Sequence, residues 1–223
     1  VLAHQSGLQA WIPFYASTIA TDSTKSYWYS AIPAEGFNAV VPGMYLRSNI
    51  RDTMFAMLAK SPLKGTEYRY SDLGYYLFQE MLEERFNEPL DQWAAHTFFA
   101  PLGARRLTYN PLIAGFSKSE IVPTEEDGYW RNTTVHGTVH DMGAAMMNGV
   151  AGHAGLFANA NDLAKMMQMY LNGGYYGGHR YFQESTVQLF SGCAFCELQN
   201  RRGLGFDRKQ LEEGPGPSCT CAS

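Results

Sequence analysis

The sequence is short of positive charge: 17 Lys and Arg against 21 Asp and Glu leave a formal charge of −4 over 223 residues. Binding along a phosphate backbone calls for the opposite balance, so nucleic acid is not an expected partner. Long apolar runs are also missing. None approaches the roughly 20 residues of a bilayer-spanning helix, so no membrane span is expected. No basic stretch leads into an apolar one, as it would in a secretory leader. Four cysteines are too few for a disulfide scaffold. The absence of internal repeats and low-complexity tracts removes solenoids and tails. The Gly-x-Ser-x-Gly elbow, the His-Glu-x-x-His zinc motif and the Lys-Ser/Thr of a phosphate loop do not occur either. What is present is ample for a core. Hydrophobic residues make up 45%, which rules out global disorder, and the length fits one large domain.

Along the chain, residues 1–46 are rich in aromatics, Pro, Gly, Ser and Thr without a helical period, and read as a loop-rich opening. Residues 47–192 turn helical. Ile50, Met54, Met57 and Leu58 repeat at three and four residues behind Ser48, and Pro62 and Gly65 close that helix. Ser71 or Asp72 starts a second helix, with Leu73, Tyr76, Leu77, Met81 and Leu82 inward and Glu80, Glu83 and Glu84 in water. A third runs from Leu90 to Phe99 and stops at Pro101-Leu102-Gly103, and a short one spans His140 to Met147. Asn161-Asp162 caps a fifth, with Leu163, Met166, Met167, Tyr170 and Leu171 inward, and Ser185 to Phe190 forms a sixth. Residues 193–223 form a Cys-containing, turn-rich tail. No run of alternating strands stands out, so periodicity predicts a mainly α, bundle-like domain with long loops. The chain opens on Val1-Leu2-Ala3-His4 as if in mid-domain and closes beyond Gly214-Pro215-Gly216-Pro217. The expectation is therefore a single partial domain over 1–223, an internal fragment.

Several residue groups could carry chemistry. Cys193-Ala-Phe-Cys196 and Cys219-Thr-Cys221 offer four sulfurs. They suit a structural zinc, disulfides within or between the pairs, or free thiols, and the spacing leaves all three open. His136 and His140 would share one helix face as a metal pair, but Gly137 between them weakens a helix. Glu125-Glu126-Asp127 has the character of a solvated acidic face. Gly152-His153-Ala154-Gly155 suits a tight turn with positive φ. The one Ser-x-x-Lys, Ser61-Pro62-Leu63-Lys64, falls in the loop between two predicted helices. There the Lys is not fixed one turn from the Ser, and the motif reads as a decoy. Asn132-Thr133-Thr134 is a formal glycosylation sequon.

Taken in order, several segments resemble the serine β-lactamase and penicillin-binding-protein-like hydrolases. His4-Gln5-Ser6-Gly7-Leu8 is similar to their Leu-x-His-x-Ser-Gly-Leu segment. Tyr70-Ser71-Asp72-Leu73-Gly74-Tyr75 resembles their Tyr-Ser-Asn-x-Gly-Tyr element at a helix start. Pro101-Leu102-Gly103 resembles the family's stop after the next helix. Gly152-His153-Ala154-Gly155-Leu156-Phe157 with Asp162-Leu163-Ala164-Lys165 resembles their Gly-Gly-Leu and Asp-Leu-Ala segments. Val139-His140-Asp141 is similar to a bacterial branch sometimes fused to a glycoside-hydrolase domain.

The resemblance implies the helical part of an α+β fold with most of its antiparallel sheet missing. It implies acyl transfer on an amide or ester without a cofactor, on a small-molecule or peptidoglycan-type substrate, in a periplasmic or secreted protein. Tyr70 takes the tyrosine position, where it helps move the nucleophile's proton and needs cations nearby to lower a pKa of about 10. Asp72 stands where the family has Asn, and His153 and Gly155 fall in the substrate-lining segment. A helical Ser-x-x-Lys and a Lys/His-Thr-Gly strand find no match in the chain, which is therefore expected to be inactive alone. The alternatives are a non-catalytic helical binding module, with zinc on Cys193, Cys196, Cys219 and Cys221, and a metal-dependent hydrolase using His136 and His140.

Overall fold

The structure, a computed structural model, describes residues 1–209. The first 47 residues hold more regular structure than their composition predicts. Helix α1 spans Phe14–Thr18 and α2 spans Asp22–Trp28, the latter started by a capping box between Thr21 and Thr24. Strands β1 (Tyr29–Ser30), β2 (Phe37–Val41) and β3 (Met44–Arg47) form an antiparallel sheet in the order β1-β3-β2. Val41 pairs with Met44 across Pro42-Gly43, where Gly43 has φ +79°, the left-handed position such a turn assigns to glycine.

Helix α3 (Ile50–Lys60) buries Ile50, Met54 and Leu58, as the periodicity predicts. Its outer Arg51 meets Glu80 and Glu83 of α4 (Leu73–Phe86) at 2.5 and 2.6 Å. Helix α4 rolls differently from the prediction. Leu73, Tyr76 and Gln79 face inward, while Leu77 and Met81 are exposed. The cause is Gln79, whose amide donates to the Val150 carbonyl at 3.1 Å and accepts from the Gly152 N–H at 3.2 Å. A buried amide that satisfies two loop backbone groups outweighs the covering of Leu77 and Met81. The helix ends at Asn87, with φ +50°.

Helix α5 (Leu90–Ala94) continues into a π-helical turn, Ala95–Phe99, which matches the predicted span from Leu90 to Phe99. Strand β4 (Thr108–Tyr109) follows, and β5 (Glu125–Asp127) pairs with β6 (Thr133–Val135). Helix α6 covers Met142–Met146, and β7 (Leu156–Phe157) returns to pair with β4. Helix α7 (Ala160–Leu171) begins two residues earlier than predicted, because Asn159, and not Asn161-Asp162, accepts the Asp162 N–H. Asp162 is buried instead, where it accepts from the Arg106 N–H at 2.6 Å and Lys165 Nζ at 2.8 Å. That anchor rolls α7 so that Met166, Met169 and Tyr170 pack inward, and Leu163, Met167 and Leu171 face out. The hairpin β8 (Tyr175–Tyr176) and β9 (His179–Arg180) leads to α8 (Glu184–Ser191).

The expectation of a mainly α fold, the helical part of an α+β fold with most of its sheet missing, is corrected here. Helices take 37% and strands 13%, in four small antiparallel sheets among the described residues, so the architecture is mixed. The strands escaped the periodicity because most are two or three residues long, too short for an alternation to register. Pairings such as Thr108 with Phe157 also link distant segments. Two cores result. The larger joins Leu8, Phe14, Leu46, Ile50, Met54, Leu73, Tyr76 and Trp130 with α6, and each such side chain stabilises by about 1.5–3 kcal/mol. The smaller gathers Phe99, Leu102, Leu107 and Met169. Among the described residues no helix is long and apolar enough to cross a membrane.

Candidate active site

The start of α4 is held by residues 4–10. The Arg69 N–H donates to the His4 carbonyl and the Asp72 N–H to the Ala10 carbonyl, at 2.8 and 3.0 Å. The buried His4 accepts the Ser71 N–H on Nδ1 at 3.1 Å and lies flat against the Tyr70 ring, with centroids 4.4 Å apart. The Ser71 hydroxyl donates to the Gln9 carbonyl at 2.6 Å and accepts the Leu73 N–H at 3.2 Å. Ser71 is thus the side chain that serves the helix start. Asp72 occupies the N-cap position but makes no capping bond, and its carboxylate interacts instead with the Tyr70 hydroxyl. Tyr70 is 52% exposed.

Across from Asp72 stands a second group. Trp11, Asp72, Tyr76, His140, Asp141 and His153 line a cleft of about 170 Å³. Asp141 caps α6 through the Ala144 N–H at 2.7 Å and, with the same oxygen, accepts from His153 Nε2 at 2.9 Å. His153 stacks on the Tyr76 ring at 4.4 Å, and its buried Nδ1 has no partner among the described residues. Burial and the Asp141 charge push the Asp72 carboxyl above its usual range, over the opposing pulls of His153 and of a hydrogen bond with Tyr70. Burial would also raise Asp141, but the His153 hydrogen bond and the Ala144 N–H outweigh it and hold Asp141 below the usual range. The two carboxyls of one cleft are thus shifted in opposite directions. Burial and the Asp72 charge raise the Tyr70 hydroxyl; Arg202 opposes this and is outweighed. The lowered phenol pKa expected from the resemblance is therefore not what this arrangement produces.

Gly155 lines a larger neighbouring cleft of about 640 Å³, which shares His140 and Asp141 with the first. Its φ is +107°, and a Cβ there would overlap the Gly149 carbonyl, so the backbone alone demands glycine. His136 and His140 do not share a helix face. The His136 Nε2 lies 2.7 Å from the Ile121 carbonyl, and His140 lies 3.4 Å from Glu125. Among the described residues, no group of three or more His, Cys, Asp or Glu could hold a metal ion. Cys193 and Cys196 are bonded to each other, which in this state withdraws two sulfurs from a four-cysteine zinc; Cys219 and Cys221 lie outside the described residues. Ser61 follows the last residue of α3 and donates to the Leu58 carbonyl at 2.7 Å, and Lys64 is exposed in the loop. The acidic run is a solvated face only in part: Glu126 is exposed, but Asp127 is buried against Arg131 at 2.6 Å, and Arg131 also donates to the Val139 and His140 carbonyls. That clamp sets the backbone just before Asp141.

The family model for Beta-lactamase matches residues 1–217. The chain belongs to the Beta-lactamase family. The match runs through the small sheets as well as the helices, in line with the mixed architecture. A relative from Salmonella paratyphi B, provisionally named D-alanyl-D-alanine carboxypeptidase, is 37% identical over 160 residues, covering 66% of this chain and 37% of its own. A relative from Salmonella newport carries the same name at the same identity. The chain thus spans little over a third of the length of the curated relatives it matches. Among solved structures, the penicillin binding protein from Bacillus halodurans aligns over 96% of this chain and 57% of its own, at 16% identity and a TM-score of 0.53. This likeness speaks for the fold alone.

The sequence reading missed the pairing of His153 with Asp141, and it placed Tyr76 only in a buried stripe. Asp141 could have been found as an N-cap, three residues before Ala144 at the start of an apolar run. The stacking of His153 on Tyr76 joins residues 77 apart in sequence, which no local pattern signals.

Proposed function

We propose that this chain supplies the proton-handling side of a serine hydrolase site that transfers acyl groups from amides or esters. The observation that carries the reading is Asp72, which makes no capping bond, two residues from the exposed Tyr70 and on the same cleft as the His153–Asp141 pair. Acyl transfer needs a hydroxyl to lose its proton and the leaving group to gain one. In this reading Tyr70 relays the nucleophile's proton, Asp72 sets the charge beside it, and His153 and Gly155 line the path of the substrate. The raised pKa suits the phenol to returning a proton to the leaving group, and nearby cations would have to assist its ionisation in the first half-reaction. The name given to the Salmonella relatives favours a D-alanyl-D-alanine peptide, a peptidoglycan-type amide, and with it a periplasmic or secreted setting. No cofactor enters the reading. Ser61, in its loop, is not the nucleophile, and the 223-residue chain alone does not become acylated.

Fluorescent penicillin labelling tests this. The protein expressed from the complete gene should label on one serine, with labelling slowed about 100-fold by Tyr70→Phe, while the 223-residue chain stays dark. Stoichiometric labelling of Ser61 in the chain would overturn the claim of inactivity. A complete protein that neither labels nor cleaves D-alanyl-D-alanine peptides or simple esters would overturn the hydrolase reading.

A further inference from the structure

Residues 193–207 fold back over the chain's first residues and deliver one arginine to the site. The Cys193–Cys196 bond and a bridge between Phe195 and Asn200 close the start of this segment. Asn200 is buried; its amide donates to the Ala3 carbonyl at 2.8 Å and accepts the Arg202 N–H at 3.1 Å. Further on, the Gly205 N–H donates to the Leu2 carbonyl at 3.0 Å. Residues 2 and 3 are thereby gripped next to His4, the residue stacked on Tyr70. Arg202 Nε donates to the Tyr68 hydroxyl at 3.0 Å, and the guanidinium carbon lies 5.2 Å from the Tyr70 ring centroid and 5.9 Å from that of Tyr68. Its side chain is only 14% exposed, with Asp207 at 3.5 Å.

We propose that Arg202 is a positioning residue for Tyr70, its guanidinium packing against the phenol ring that also stacks on His4 and keeping a fixed cation near that ring. A guanidinium suits this use, since it stays charged and stacks on aromatic faces while its fork still donates. The other groups facing Tyr70 are His4, Tyr68, Asp72 and Tyr75. Of these, Asp72 opposes ionisation of the phenol, and only Arg202 is a permanent cation. The consequence for turnover rests on the function proposed above; the coupling itself belongs to this chain.

Carbon-13 NMR of ring-labelled tyrosine in the 223-residue chain reads the coupling without substrate. Arg202→Ala should move the Tyr70 titration upward by about half a pH unit, a roughly threefold loss of ionised phenol at a given pH. Arg202→Gln, which keeps a donor for Tyr68 without the charge, should do the same, and Arg202→Lys should restore most of the difference. An unmoved Tyr70 titration in both neutral variants, with the remaining spectrum intact, would overturn the proposal; should Ala unfold the chain, Gln decides. In the complete protein, Arg202→Gln should lower kcat about threefold at constant KM and shift the pH profile by the same half unit. A moved titration in a protein that turns over no acyl substrate would sink the proposed function and leave this inference standing. Normal turnover with an unshifted profile would do the reverse.

Discussion

Asp127 and Asp72 show two ways of placing a carboxylate at a turn. Asp127 is met by Arg131 at 2.6 Å and by the N–H groups of Tyr129, Trp130 and Arg131. Burial pushes its carboxyl up, but these partners pull harder and bring it to about 2. Asp72 receives no capping bond, because Ser71 takes the first free N–H of α4, and its carboxyl is pushed above the usual range. The first charge is fully satisfied and faces only protein. The second makes no capping bond and lies on the wall of a cleft. A group whose bonds are all made has none to offer a substrate, so the contrast separates a carboxylate that holds the fold from one available for chemistry.

The widest separation between them should appear in stability. Asp127→Ala leaves the Arg131 guanidinium buried without its partner and should cost about 3–5 kcal/mol in urea unfolding. A loss under about 1 kcal/mol would mean that water reaches Arg131. Asp141 stands between the two, since it caps a helix and also belongs to the site. Asp141→Ala should cost about 1–2 kcal/mol, and NMR should show the His153 ring signals moved as its Nε2 partner disappears. Asp72→Asn should change stability by no more than about 0.5 kcal/mol, as befits a side chain with no cap to lose.

The pH dependence sharpens the contrast through its sign. Asp127 has a folded pKa below its unfolded value. Its contribution is complete above the unfolded value and is lost as pH falls toward about 2. Asp72 has a folded pKa above its unfolded value, so its contribution is present below the unfolded value and lost as pH rises through the folded one. Unfolding followed from pH 2 to 7 should therefore show Asp127→Asn losing ground to the parent chain as pH rises, and Asp72→Asn gaining it. Parallel curves would mean that the two carboxylates do not differ as described.

Much of this was legible before the structure. Ile50, Met54 and Leu58 repeat at the helical period and are the buried face of α3. Tyr70 and Asp72 were visible through the segment they share with the family. Where the reading failed, a polar side chain had set the geometry. Gln79 turned α4 toward the glycine-rich loop and Asp162 rolled α7, in each case exposing leucines that hydrophobic periodicity would bury. The buried pair of Asp127 and Arg131 hid inside what looked like an exposed acidic run. Such bonds are worth as much as a covered leucine but leave no periodic mark. The strands went unseen because they are only two to five residues long, and β4 in addition pairs with a strand far away in sequence.

The most direct test of the site is the single-turnover acylation rate of the complete protein and its Tyr70→Phe variant, measured beside their unfolding midpoints. The account predicts a fall of about 100-fold or more in rate with the midpoint unchanged, because Phe keeps the ring and its stacking on His4 and removes only the hydroxyl. Equal rates in the two proteins would contradict it and leave the cleft at the start of α4 without a role in acyl transfer.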